Sequence, residues 1–278
     1  MTTGTITPFD SSGNNVTSLT VAHSNNGDYL VVGLTRRAGS RTQPTITYGG
    51  AAMQNIGYLT PSNDIQMEYS LWGLINPVSG TNNLVISATL GGMIGGCVSL
   101  VGAEQAHPAV GARATGFGSD TTPTVTLNSV AIGDIIIDAG GFRNNSVPSG
   151  RGANQDLNWS TSTSSNGMSG WSSRKTGVSG TTTMTWTLSA TQFWGLTAAY
   201  FKPAATGPTP VVDVSWASME TPIGASTPYV DVSWVALGIP KPTALPGIEI
   251  AWVGFEAPVD APQEPVGTLQ EQVGTVPI

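Results

Sequence analysis

The sequence predicts an all-β protein: an antiparallel, jelly-roll-like β-sandwich followed by a C-terminal region of short 18-residue strand repeats. Three observations predict it. Apolar residues recur with a period of two over many short segments. Clusters rich in Gly, Asn and Ser fall between those segments, supplying the positive-φ and Asx-turn residues that β connections need. No segment shows the i, i+3, i+4 stripe or the capping box of a helix. Only 10% of the residues are charged while 39% are hydrophobic, enough for a packed core under a largely uncharged surface.

Taken in order, the strand-like segments are 16–23, 28–35, 45–48, 65–75, 83–90, 97–102, 122–127, 134–139, 168–175, 181–188 and 193–201. The clearest alternation is in the fourth, which sets Ile65, Met67, Tyr69 and Leu71 on one face and Gln66, Glu68 and Ser70 on the other. That pattern predicts one face buried and one wet. The run Gly91-Gly-Met-Ile-Gly-Gly96 reads as a loose turn, since no Lys-Ser/Thr or helix follows to make a phosphate loop.

Charge divides the chain. Residues 1–203 hold nine Lys/Arg and nine Asp/Glu, whereas residues 204–278 hold one Lys and eight acids, so the net charge of −7 lies in the second part. Eleven of the 19 prolines also follow residue 203. The expected organisation is a sandwich over 1–203, a Pro-rich linker over 204–209 and acidic, Pro-bounded repeats over 210–278. Lys and Arg are too few and too scattered to neutralise a phosphate backbone, so no nucleic-acid partner is expected. No stretch has the roughly 18 apolar residues of a membrane helix, the N-terminus lacks signal-peptide character, and the single cysteine, Cys97, excludes an intrachain disulfide.

The acidic region contains a tandem repeat. Segments beginning at Pro210, Pro228 and Pro246 each read P-x-[VI]-[DE]-[VI]-[SA]-W, with a second proline twelve residues after the first. Val212, Val214 and Trp216 share one face of an extended strand, with Asp213 and Ser215 opposite. Trp234 and Trp252, with Asp231 and Glu249, repeat the arrangement. A unit of 18 residues is too small to bury its own core and must stack on neighbours or on a partner surface.

Several segments carry a resemblance. Asp28-Tyr-Leu-Val-Val-Gly-Leu-Thr-Arg-Arg-Ala38, Thr45-Ile-Thr-Tyr-Gly-Gly-Ala-Ala-Met53, Leu74-Ile-Asn-Pro-Val-Ser-Gly-Thr-Asn82 and Val101-Gly-Ala-Glu-Gln-Ala-His-Pro108 together resemble a jelly-roll-type domain of tailed-phage virion proteins. The Trp repeats resemble the V-x-V-S-W tandem tails attached to some of them. The resemblance implies a virion surface component and carries over no catalytic residue.

Candidate chemistry is sparse. His23 and His107 sit in no H-x-x-x-H or H-E-x-x-H pattern, and Cys97 starts an apolar strand with no base beside it in sequence. Asp134 and Asp138, four apart on one strand, are about 13 Å apart, beyond the roughly 5 to 9.5 Å needed for glycoside hydrolysis. Asp10, Asp28 and Asp64 fit turn capping better than a calcium loop. Trp159, Trp171, Trp186 and Trp194 read as core residues, and Arg36, Arg37 and Arg41 as a basic cluster in a polar loop that meets either solvent or a neighbouring subunit.

The expectation is therefore a non-enzymatic virion structural protein without cofactor or metal: a capsid decoration protein or a fibre or tail component at the virion surface. Its partners are other capsid or tail subunits, or further copies of itself, with a trimer favoured. Its assembly residues are Trp216, Trp234, Trp252, Asp213, Asp231, Glu249, Arg36, Arg37 and Arg41. The alternative is a glycan-binding adhesin whose sandwich tryptophans stack on host-surface sugars.

Overall fold

The computed structural model describes residues 1–11, 16–38, 42–62, 66–163 and 167–205. They form sixteen strands and one short 3₁₀ turn, Val110–Ala112. The first eight strands are β1 (Thr2–Asp10), β2 (Val16–Asn25), β3 (Tyr29–Ala38), β4 (Thr45–Tyr48), β5 (Ala51–Ala52), β6 (Gln54–Leu59), β7 (Met67–Ile75) and β8 (Gly80–Val101). The second eight are β9 (Arg113–Asp120), β10 (Thr124–Val130), β11 (Ile135–Phe142), β12 (Gly150–Arg151), β13 (Asp156–Thr163), β14 (Met168–Thr176), β15 (Gly180–Thr187) and β16 (Gln192–Phe201). Every pairing between named strands is antiparallel.

The expected jelly-roll-like sandwich is present, and it is present twice. In the first half a five-stranded layer runs β1-β8-β3-β7-β6, and a smaller layer is built from β2, β4 and β5 on the N-terminal part of β8. In the second half the five-stranded layer runs β9-β16-β11-β14-β13 and the smaller one β10-β15-β12. Apart from the β4–β5 hairpin, each pairing of the first half recurs in the second, with β8 of the first half doing the work of both β15 and β16. The registers make the equivalence residue by residue. Val32 pairs with Trp72 and Cys97, and Asp138, 106 positions later, lies opposite Ala198 in the same layer position. A register shift sits between Asn55 and Gly57 on β6 and at the equivalent place between Leu157 and Trp159 on β13. The hairpins entering β8 and β15 share Val-Ser-Gly-Thr at 78–81 and 178–181, each with its glycine at positive φ, +80° and +102°.

Two five-stranded layers pack face to face, so the body has four layers. Equivalent positions meet at the centre: a Cβ added to Gly33 would lie 2.8 Å from the Cβ of Ala139, its counterpart. The other contacts come in exchanged pairs, β1 with β13 and β9 with β6, β8 with β14 and β16 with β7. That exchange is the signature of an approximate two-fold axis through β3 and β11. Each half has its own core, one around Leu34, Trp72 and Met93, the other around Trp171, Met184 and Trp186. A third apolar cluster joins the halves, with Tyr29, Val31, Ile56 and Leu71 facing Ile135, Ile137 and Phe201.

Three sequence expectations change in this setting. β7 is buried on both faces along 67–73, because its layer lies inside a four-layer stack; Glu68 and Ser70 are as enclosed as Met67 and Tyr69, and Ile65 lies outside the described residues. Residues 91–96 continue β8 instead of turning. Glycine is needed there for close approach, with the Phe9 ring against Gly95 and the Trp159 indole against Gly96, neither leaving room for a Cβ. Arg36 and Arg37 lie in β3 and not in a loop.

Candidate functional site

Two buried networks, one per half, each hold one titratable side chain. On β2, His23 is buried between the layers; its Nδ1 lies 2.8 Å from Thr7 Oγ1 and its Nε2 3.0 Å from Ser99 Oγ. Ser99 gives its single hydroxyl proton to Asn25 Oδ1 at 2.8 Å, so it accepts from Nε2–H, and Nδ1 accepts from Thr7. Burial lowers the His23 pKa to about 4, so the ring is neutral around pH 7. The imidazole thereby ties β2 of the small layer to β1 and β8 of the large one.

Asp138 does the corresponding work in the second half. From β11 its carboxyl accepts the Ser173 backbone N–H at 2.5 Å, the Ser173 hydroxyl at 3.0 Å and the Trp186 indole N–H at 2.8 Å. Gln155 extends the chain, donating to Ser173 Oγ at 2.9 Å and accepting from the Thr185 N–H at 2.8 Å. Burial pushes the Asp138 pKa up to about 7, the hydrogen bonds opposing but not cancelling it. Asp134 does not share this environment: it precedes β11 and accepts from the Ala131 N–H at 2.8 Å, closing a turn.

Several other polar and titratable groups are held individually. Arg36, 1% exposed, donates from Nε to Glu68 Oε2 at 2.6 Å and from Nη2 to the Thr42 carbonyl, with a second Nη2 contact closing the ion pair. It is therefore inside the first half and not available to a neighbouring subunit. Arg37, partly buried, reaches Gln66 Oε1 at 3.4 Å, and Arg41 lies outside the described residues. Cys97 is buried in the first core, which pushes its thiol pKa up and disfavours a thiolate. His107 lies in the connector between the halves, its Nδ1 in a hydrogen bond with the Tyr29 hydroxyl at 2.6 Å. Burial, then Arg113, lowers its pKa, while burial raises that of Tyr29. A cleft of about 230 Å³ opens beside it, lined by Glu104, His107, Ala112, Tyr200 and Lys202 among others.

Among the described residues no three His, Cys, Asp or Glu side chains gather where they could hold a metal ion. No helix among them is long and apolar enough to cross a membrane. Trp159, Trp171, Trp186 and Trp194 are all at most 5% exposed, so none offers a ring face for a sugar to stack on. Trp216, Trp234, Trp252, Asp213, Asp231 and Glu249 lie outside the described residues. The sequence reading missed both networks, because their members are isolated single residues in sequence; a lone aspartate in Ile135-Ile-Ile-Asp-Ala139 was the one available signal.

No protein-family model matches the chain, and neither a curated protein nor a solved structure matches it.

Proposed function

We propose that the protein is a non-enzymatic structural component of a tailed-phage virion, a capsid decoration protein or a fibre or tail subunit, whose body is the double sandwich and whose attachment or self-association runs through the C-terminal repeats. One observation carries this reading: His23 and Asp138 bond the layers of each half together, and Arg36 pairs with Glu68 across neighbouring strands of one layer, so these versatile side chains do not converge on an open cleft. The repeats supply the means of assembly. An apolar stripe centred on Trp216, Trp234 or Trp252 contributes about 2 to 3 kcal/mol when buried, which an isolated 18-residue unit cannot secure alone. Three linked copies multiply weak contacts, and Asp213, Asp231 and Glu249 on the opposite face make such binding salt-sensitive where the partner is basic.

Light scattering on the full chain and on a form ending before residue 210 tests the proposal. The full chain is expected to be oligomeric or to bind virion particles, and the shortened form to be monomeric and unattached. Equal oligomeric state together with equal attachment overturns it.

A further inference from the structure

We propose that the seam between β1 and β13 is a binding groove for an uncharged oligosaccharide. Two hollows lie in series along this strand pair. One, of about 520 Å³, is lined by Thr2 and Thr3 on β1 and by Asn154, Asp156, Arg174 and Lys175 on the second half. The other, of about 540 Å³, is lined by Pro8, Phe9 and Asp10 on β1 and by residues 157–161 on β13. Each is of the size that small-ligand sites occupy.

The two-fold arrangement supplies an internal control. The seam exchanged with this one by the axis lies between β9 and β6, and the two edges differ in character. By strand register Asp10 corresponds to Phe117, Asn158 to Ile56 and Arg174 to Gly73. Ile56 is fully buried in the cluster that joins the halves. Asn158, in the matching bulge, keeps polar company instead: its Nδ2 donates to Ser172 Oγ at 3.0 Å and its Oδ1 accepts from Arg174 Nη1 at 3.0 Å. Arg174 in turn lies 3.6 Å from Asp156. One seam sets Ile56 into the apolar cluster that joins the halves, while the other carries a bonded row of Asp, Arg and Asn beside the hollows.

The chemistry of the row selects the ligand. Planar amide, carboxylate and guanidinium groups offer paired donors and acceptors, which suit adjacent hydroxyls that both donate and accept. Leu157, 41% exposed, adds an apolar surface for the C–H face of a sugar ring. Among the side chains that line the two hollows, Asp10 and Asp156 balance Arg174 and Lys175, so these side chains supply no net charge with which to draw in a polyanion or a basic peptide. The two aromatic rings in the lining, Phe9 and Trp159, are only 7% and 3% exposed and offer no open face, so the extended groove fits a linear chain held by many hydrogen bonds better than a single stacked ring.

This inference goes beyond the assembly reading and uses none of residues 206–278, so either can fail alone. The full chain is applied to an array of neutral, sialylated, sulfated and uronic oligosaccharides, and the strongest neutral hit is titrated by calorimetry at low and high salt. Binding is expected to change less than twofold with salt. Asn158→Ala and Asp10→Ala are each expected to weaken it at least tenfold with the melting temperature kept, while Gln54→Ala on the exchanged seam leaves it unchanged. Absence of any neutral hit, binding restricted to charged glycans, or a neutral hit indifferent to both variants overturns the proposal.

Discussion

At three equivalent positions the two halves make opposite choices about a buried polar group, and at a fourth one half buries a charged side chain where the other buries a hydroxyl. The first half holds His23, Arg36 and Glu68 where the second holds Leu127, Phe142 and Ser169, and the second holds Asp138 where the first holds Val32. Both solutions staple a small layer to a large one, through an imidazole in one half and a carboxyl in the other. Strand order, bulge position and hairpin geometry survive the exchange. The fold is therefore specified by alternation and turns, and the buried polar groups are interchangeable devices placed within it.

The largest expected effect comes from breaking the buried ion pair, which among the described residues only the first half possesses. Glu68→Ala leaves Arg36 charged and enclosed without its partner, and costs about 3 to 5 kcal/mol in urea unfolding. Replacing both residues at once, Arg36→Phe with Glu68→Ser as in the second half, is expected to recover most of that loss. A double variant as unstable as the single one breaks the equivalence of the halves.

The pH dependence of the two networks sharpens the comparison. Asp138 titrates at about 7 in the fold but near 3.9 when unfolded, so between those values the folded state holds the extra proton and stability falls as pH rises, by on the order of 4 kcal/mol across the window. His23 titrates at about 4 in the fold and near 6.5 when unfolded, so the unfolded chain holds the extra proton and stability falls as pH drops from 6.5 towards 4. The two slopes oppose each other. In urea unfolding followed against pH, Asp138→Val is expected to leave a profile that climbs from pH 4 to 6.5, and His23→Leu one that descends from pH 4 to 7. Parallel profiles for the two variants sink the assignment.

The smallest effect concerns what the halves share. Gly80→Ala and Gly180→Ala both place a side chain at positive φ with open space around it. Each is expected to cost about 1 kcal/mol, and equally. A cost in one and none in the other shows that the hairpins are not equivalent in solution.

Most strands were legible from period-two patterning, and the jelly-roll-like architecture with them; 45–48 was read to the residue. The duplication was not read, because the buried positions that would align have exchanged His for Leu, Arg for Phe and Asp for Val, leaving little beyond Gly27-Asp28 with Gly133-Asp134 and the two Val-Ser-Gly-Thr turns. β1 and β9 escaped notice since their residues are mostly half-buried or exposed and no apolar alternation marks them. The Arg36 pairing was hidden for another reason. Its partner is on a different strand, 32 residues away, and a pair of arginines read alone resembles a wet loop.

The ends of the two halves are joined to each other: Ala103 bridges Pro203, Glu104 N–H bonds the Lys202 carbonyl at 2.8 Å and Ala204 N–H the Gly102 carbonyl at 2.8 Å. The chain leaves for residues 206–278 at this clasp, directly from β16. That strand is interior, hydrogen-bonded along its length to β11 on one side and β9 on the other. A pull applied through the C-terminal segment along β16 thus loads both ladders in shear, all bonds at once, since they run perpendicular to the strand. Under such a load β16 is held on both sides, and tension reaches the connector between the halves before it can peel an edge.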